Sequence, residues 1–376
     1  MEVVQIYPLV NTAASEVLGR EAVVLEDLSN LVDVGEEIFN ANAMDRYVKS
    51  LVNQIGQIVF VNRPYSGSVP SVLMDGWEFG SVLEKIQGEL PTATENESWE
   101  LVDGASYDPN IFYQPKVTAK FFNSKVTFEV DMSFTERQVK QSFQNGVQLN
   151  AFLSMLYSNV EKAMTIRLDA LVMRTINNMT AETISDASPI RAVNLLSLYN
   201  ERYPNATITA DVAMTTPEFI RFAVLTMANY IDRMEKISEL FNIGSKARFT
   251  PRDLLHVVML SDFRNAADIY LQSDTFHNEY TRLPGAETVP YWQGSGTDYA
   301  FSSISKIHVN TATGKEVDQS GILCVMFDRD ALGVQNPDRR VTSNYNAKAE
   351  FWTNFYKWDA GYFNDLNENF VVFFVA

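Results

Sequence analysis

Apolar residues in the middle of the chain repeat every three or four positions over an unusual length. The repeat consists of Leu149, Leu153, Leu156, Val160, Met164, Leu168, Leu171 and Val172. This spacing places them on one face of a helix. Strict heptads fail after two turns, which argues against a coiled-coil dimer. We therefore predict one helix over about 147–178, roughly 48 Å long at 1.5 Å per residue. A capping-box pattern at Ser133–Glu136 predicts the start of a shorter helix before it.

Two other patterns predict strands. Apolar positions alternate over 117–121 and again over 126–132, and Asn123-Ser124 lies between them, which is typical of a β-hairpin with one buried face. The runs 254–260 and 321–327 are almost wholly apolar and favour strands buried on both faces. Thr216-Pro217-Glu218 predicts a capped helix start in the same region.

The segment from Gln57 to Lys125 is broken repeatedly by Gly and Pro but retains large apolar side chains. Trp77, Phe79 and Trp99 are among them. A segment with little room for its own core needs another surface to cover these rings. The surface can be a neighbouring molecule, or the segment can fold back on its own chain as a β-rich subdomain.

The last part of the chain reads as strands. A turn is predicted at Trp358–Gly361, and Phe370–Val375 is almost wholly apolar. A chain rarely ends in a bare hydrophobic strand unless that strand lies inside a sheet. We therefore expect it to pair with an early part of the chain.

Composition narrows the class of protein. The chain of 376 residues carries a formal net charge of −17, so it repels phosphate and is a poor direct ligand for nucleic acid. Cys324, the only cysteine, lies in an apolar run and excludes an intrachain disulfide. No apolar stretch approaches the roughly 20 residues that span a membrane. The N-terminus lacks a signal-peptide pattern, so we expect a protein made and kept in the cytoplasm.

No residue pattern points to catalysis. His256, His277 and His308 share no metal-ligand spacing, and the phosphate-binding and nucleophile motifs are absent. Asp328-Arg-Asp330 is better explained as a polar turn at the end of a strand than as a metal site. No pair among the 47 acidic residues stands out for glycosidic chemistry. We predict no catalytic, cofactor-binding or metal-binding residues and no enzymatic activity.

The order of these elements resembles the Hong Kong 97-type major capsid fold of tailed bacteriophages. The stretches that carry the resemblance are Val126–Glu136, Leu149–Ile176 with its Arg167-Leu-Asp-Ala170 pattern, Phe327–Val334, Arg339-Arg340 and Tyr362-Phe-Asn364. The resemblance implies an α+β fold in four parts. They are an N-terminal arm with short helices over 1–56, an extended loop over 57–125, a peripheral domain over 126–189 and 337–376 with a spine helix at about 147–178, and an α/β axial domain over 190–336.

This resemblance implies a structural protein that self-assembles into pentamers and hexamers around packaged double-stranded DNA. Trp77, Phe79, Trp99, Arg339 and Arg340 are the expected intersubunit contacts. The implied partners are copies of the chain, a separate scaffolding protein, a portal and a decoration protein, with no membrane and no sequence-specific DNA binding. The implied location is the virion, after assembly in the bacterial host cytoplasm. The alternatives are an encapsulin-like nanocompartment shell and a hydrolase with a non-local acidic site.

Overall fold

A computed structural model of the chain describes most of its residues. The described residues are 3–19, 24–25, 30–40, 46–47, 50, 69–74, 83–91, 93, 95, 100–107, 110, 112, 114–135, 137, 146–272, 286–292, 305–335 and 338–376. The chain divides into two compact units. The first comprises Met1–Gly76, Lys125–Arg174 and Val334–Gly361, and the second Trp77–Ser124, Thr175–Gly333 and Tyr362–Ala376.

The described residues form both helices and strands. The helices are α1 (Val3–Leu18), α2 (Leu31–Asn40), α3 (Gly146–Ser185), α4 (Leu195–Arg202), α5 (Ala210–Ala213), α6 (Pro217–Met234) and α7 (Ser261–Gln272), and a 3₁₀ turn covers Pro70–Val72. The strands are β1 (Leu73–Met74), β2 (Leu83–Gly88), β3 (Val117–Phe122), β4 (Lys125–Thr135), β5 (Ala192–Asn194), β6 (Leu255–Leu260), β7 (Glu287–Val289), β8 (Lys306–Asn310), β9 (Glu316–Ser320), β10 (Ile322–Asp328), β11 (Leu332–Gln335), β12 (Asp338–Asn346), β13 (Phe351–Asn364) and β14 (Phe370–Phe374).

The sheet of the first unit is organised around β13. This strand pairs antiparallel with β12 and with β4, and β11 and β1 extend the same sheet. Alternate residues of β13 are buried, including Trp352, Tyr356 and Trp358. The turn predicted at Trp358–Gly361 is wrong, because the ladder with β4 runs through to the pair Gly361–Lys125. Partners on both sides hold this stretch extended.

The predicted hairpin over 117–132 is also wrong. β3 pairs with β2, whereas β4 pairs with β13, so two consecutive strands belong to different sheets. The alternation shows that each strand has two unlike faces, but it does not identify the partner, since backbone hydrogen bonds carry no sequence information.

The predicted capping box at Ser133 does not begin a helix, because Ser133 lies within β4. Its hydroxyl forms a hydrogen bond of 3.0 Å with Thr353 Oγ1 across the ladder to β13. Glu136, the other member of the box, lies outside the described residues.

The long helix is confirmed and is longer than predicted. α3 has 40 residues, about 60 Å at 1.5 Å per residue, and ends at Ser185 instead of Asn178. The extension contains Thr180 and Thr183, both fully buried. Thr183 Oγ1 donates to the carbonyl of Met179 at 2.8 Å, so its polar atom is satisfied within the helix. The apolar repeat stops before these threonines, which is why it underestimates the length.

The sheet of the second unit has the strand order β5-β14-β10-β6-β7. Every residue of β10 is buried, and β10 pairs antiparallel with both β6 and β14, as expected for the two apolar runs. α7 contacts β6, and α6 packs against α7. Thr216 precedes α6 and Pro217 is its first residue, but the Thr216 hydroxyl donates to Val212 O instead of capping the helix.

The apolar C-terminal strand lies inside a sheet, but not beside the partner expected. β14 pairs with β10 and, in parallel, with β5, so it belongs to the unit that contains Thr175–Gly333. Its partners are residues 192–194 and 322–328 and not an early part of the chain, so that expectation is wrong. The assignment of 337–376 to a peripheral domain stays a prediction. β10 and β14 are almost wholly apolar on both faces, and every residue of the two strands except Phe374 is buried.

Candidate intersubunit surface

The two-stranded ribbon of β2 and β3, residues 83–88 and 117–122, has two chemically different faces. Lys85 lies opposite Lys120 across the ladder, and Gln87 lies opposite Thr118. Ile86 lies opposite Ala119, and the next pair on that face is Glu84 with Phe121. Because side chains alternate along a strand, the two lysines share one face with the terminal pair Leu83 and Phe122. The other face carries Ile86, Val117, Ala119 and Phe121, together with Glu84.

The polar face contacts the turn between β13 and β14 in the same unit. Lys85 Nζ lies 3.0 Å from Asp365 Oδ2 and 2.7 Å from Glu368 Oε1. Lys120 Nζ lies 2.8 Å from Asp365 Oδ1, and Gln87 Nε2 donates to Glu368 Oε1 at 2.9 Å. Two cations, one from each strand, thus share one fully buried carboxylate. We call Lys85, Lys120, Asp365 and Glu368 the ion cluster.

Further contacts surround the ion cluster. Arg248 Nε lies 3.4 Å from Glu368 Oε1, and Lys246 Nζ pairs with Glu89 Oε1 at 2.8 Å just beyond β2. The rings of Phe122 and Phe363 lie 5.2 Å apart between centroids. The base of the ribbon is therefore attached to its own chain by charged groups and one aromatic contact.

The two carboxyl groups respond differently to burial. Burial by itself would raise the pKa of Asp365, but the hydrogen bond from Lys120 and the charge of Lys85 outweigh it and hold the pKa below its ordinary value. For Glu368, burial dominates, and Lys85 and Arg248 offset only part of it, so the pKa of Glu368 is raised. Asp365 is therefore the better stabilised anion of the cluster.

The opposite face of the ribbon is an apolar stripe that faces solvent. Ile86, Val117 and Phe121 are each 60–66% exposed, and Ala119 lies between them. Beyond the ribbon, Leu90 and Phe112 are also exposed. Apolar side chains normally form the buried face of a ribbon, so this arrangement is inverted. Exposed apolar patches of this kind mark interaction surfaces. We call Ile86, Val117, Ala119 and Phe121 the apolar stripe.

Of the five predicted intersubunit contact residues, the structure describes the side chain of Arg340 alone. Trp77, Phe79 and Trp99 lie outside the described residues, as does the side chain of Arg339. Arg340 is on β12, where its Nη1 pairs with Asp359 Oδ2 of β13 at 2.8 Å on the exposed side of the sheet. The sequence analysis did not predict the ion cluster or the apolar stripe. The one sequence feature that could have indicated the ion cluster is the polar segment Asp365–Asn369, which lies just before the apolar C-terminal strand.

The described residues contain no group of His, Cys, Asp and Glu arranged to hold a metal ion. His277 is outside the described part, His256 lies in β6 with its pKa lowered by burial, and His308 contacts Asp318 and Glu316 on a surface hairpin. Burial raises the pKa of the Cys324 thiol. Asp328 ends β10, and its Oδ1 accepts from Asp330 N in a polar turn, as predicted.

A cavity of about 220 Å³ lies beside the ribbon base, lined in part by Gln87, Glu89, Glu239 and Arg248. Asp365 and Glu368 do not line it. The buried carboxylates with displaced pKa values are thus engaged by lysines and not presented to this cavity.

Among the described helices, none is long and apolar enough to cross a membrane.

Comparison with solved structures identifies the fold of the chain. A chain from the capsid structure of Staphylococcus phage Andhra matches with a TM-score of 0.51 and 11% identity, over 80% of this chain and 82% of that one. A chain from the structure of the head fiber and inner core protein gp22 of native bacteriophage P68 matches with a TM-score of 0.50 and 8% identity, over 84% and 86%. These likenesses confirm the predicted α+β capsid fold of the Hong Kong 97 type. No curated protein sequence matches the chain.

The family itself is shown by the sequence match. The model of the Phi29-like phage major capsid protein family matches residues 10–374. The chain belongs to that family, so it is a structural protein of the phage capsid and not an enzyme.

Proposed function

We propose that copies of this chain form pentamers and hexamers that close into the icosahedral head of a tailed phage around double-stranded DNA. The observation that carries the proposal is the inverted ribbon. Its charged face is neutralised on its own subunit, so the apolar stripe remains available for a neighbouring copy. In this reading the loop over 57–125 reaches the neighbour, with Trp77, Phe79 and Trp99 as further anchors and Arg339 and Arg340 as contacts of the peripheral part.

Each copy would offer the apolar stripe and receive the stripe of another. Contacts between unlike surfaces of identical subunits are heterologous, and they close into rings when the rotation permits. Many modest contacts per subunit then add to a stable shell. The net charge of −17 supports enclosure of DNA without tight binding, because phosphates gain no counterion-release term from an acidic surface. Assembly would take place in the bacterial host cytoplasm, with a separate scaffolding protein, a portal and a decoration protein as further partners.

Sedimentation and negative-stain electron microscopy test the proposal. Ile86→Asp combined with Phe121→Asp should leave a folded subunit and reduce assembly at least tenfold, because a charge within a buried interface lacks a partner. Ile269→Asp is the matched control, since Ile269 is about as exposed but lies on α7. Wild-type chain that stays monomeric at high concentration would contradict shell formation, and equal assembly of all three proteins would contradict the role of the stripe.

The alternatives make different predictions in the same measurements. An encapsulin-like shell would form closed particles that contain a cargo protein and no DNA after isolation from cells. A hydrolase would remain a compact monomer with turnover that depends on acidic residues. The capsid family match supports the phage head over both.

A further inference from the structure

A groove of about 380 Å³ lies between α4 and α6 on the surface of the second unit. Leu198, Phe222 and Tyr230 contribute its apolar lining, and Arg202 and Arg233 contribute two guanidinium groups. The core-facing side of α6 is a separate surface, formed by Phe219, Ala223, Met227 and Met234. The groove is therefore not part of the core.

The two arginines lack an anionic partner within the described part of the chain. Arg202 Cζ lies 5.9 Å from the ring centre of Tyr203, and Arg233 Cζ lies 5.6 Å from that of Tyr230. Glu201, the one acid of the lining, forms no salt bridge with either among the described residues. Adjacent residues of a helix do not face each other, which separates Glu201 from Arg202. An apolar groove with two such cations suits an acidic, partly apolar segment.

A segment of that chemistry is exposed elsewhere in the same unit. Leu101 and Val102 are 64% and 67% exposed, and the exposed acids Glu100 and Asp103 flank them. The turn is closed by a hydrogen bond from Ala105 N to Val102 O of 3.1 Å. Tyr107 Oη accepts from Val102 N at 3.1 Å, also within the turn. Gly104 has a φ of +84°, a value that favours glycine. These contacts preorganise the turn, which lowers the entropic cost of docking it.

We propose that the acidic turn over 100–107 of one copy docks into the groove between α4 and α6 of a second copy of this chain. Leu101 and Val102 enter between Leu198 and Phe222, while Glu100 and Asp103 pair with Arg202 and Arg233. The turn and the groove are different surfaces of identical chains, so the contact is heterologous and repeats around a ring. This inference rests on the proposed assembly into a shell and adds a second pair of surfaces to the apolar stripe.

Charge reversal tests the pairing. Arg202→Glu with Arg233→Glu should reduce assembly at least tenfold, and so should Glu100→Arg with Asp103→Arg. Combining all four substitutions should restore assembly to within about threefold of wild type, because the pairs re-form with opposite signs. Lys236→Glu is the control, since Lys236 is exposed near Arg233 but does not line the groove. Failure of the fourfold variant to recover, with the circular dichroism of all variants unchanged, would overturn the inference.

Engineered cysteines give an independent readout. Val102→Cys combined with Thr226→Cys should produce a ladder of disulfide-linked chains from oxidised particles, because each copy then links to two neighbours. Either single variant should give no ladder, and the buried Cys324 should remain silent. Assembled particles of the double variant without a ladder would refute the docking and leave the proposed function intact. Absence of particles from wild-type chain would instead refute the proposed function.

Discussion

Lys85 of β2 lies directly opposite Lys120 of β3, so two ammonium groups project from the same face of the ribbon. Like charges at such a cross-strand position are destabilising by themselves. The carboxylate of Asp365 contacts both, 3.0 Å from Lys85 and 2.8 Å from Lys120, and converts the repulsion into an attachment point. The direction in which the apolar stripe faces therefore depends on one buried anion.

Asp365→Asn should destabilise the unassembled subunit by about 3 kcal/mol, because it removes the anion from a buried ion pair and leaves two facing cations. Urea denaturation followed by circular dichroism measures the change. Glu89→Gln is the matched control, since the Glu89–Lys246 pair is exposed on both sides and such pairs contribute about 0.2–1 kcal/mol. Equal losses for the two variants would show that the ion cluster contributes no more than a surface pair.

The pH dependence of stability should differ in sign between the two acids of the cluster. The pKa of Asp365 lies below its ordinary value of 3.8, so its contribution is present above that value and is lost as the pH falls through the folded-state pKa. The pKa of Glu368 lies above its ordinary value of 4.5, so stability falls as the pH rises from 4.5 through the folded-state pKa.

Unfolding free energies of the wild type, Asp365→Asn and Glu368→Gln between pH 2.5 and 7 separate these contributions. In Asp365→Asn, the unfolding free energy should fall less steeply as the pH drops below 3.8. In Glu368→Gln, it should decline less steeply as the pH rises above 4.5. A Glu368→Gln profile that runs parallel to the wild type would contradict the raised pKa.

Gly321→Ala should be among the more destabilising small substitutions in the second unit. Gly321 precedes β10 with a φ of +69°, and an added Cβ would lie 2.2 Å from the backbone oxygen of Val375. We expect a loss of about 3 kcal/mol, of which about 1 kcal/mol comes from the backbone conformation alone. Gly314→Ala isolates that part, because Gly314 has a φ of +77° and open space around it. In thermal unfolding, the melting temperature should therefore decrease more for Gly321→Ala than for Gly314→Ala.

The thiol of Cys324 should resist alkylation in the folded chain. It is fully buried in β10, and burial raises its pKa, so both access and the thiolate fraction are low. Iodoacetamide labelling followed by mass spectrometry should show at least a hundredfold slower reaction in buffer than in 6 M guanidinium. Rapid labelling of the native chain would contradict the burial of β10. Cys324→Ser should lower the free energy of unfolding, since it places a hydroxyl in an apolar strand.

Some features of this protein follow from the sequence alone. The apolar repeat predicts the long helix, and the two apolar runs predict β6 and β10, because local periodicity reports which faces an element buries. The segment over 57–125, broken by Gly and Pro but rich in large apolar residues, indicates a need for another surface. The sequence also contains no known catalytic motif, and the order of its elements resembles the capsid fold.

Only the tertiary structure decides which strands pair and which charges meet. β3 and β4 look like a hairpin in the sequence, but they enter different sheets, because backbone hydrogen bonds are the same for every partner. β14 could close either sheet until its pairing with β5 and β10 is known. Lys85 and Asp365 are 280 positions apart, and their contact arises from the path of the chain. The apolar stripe is visible only once the ion cluster has defined which face of the ribbon is turned away.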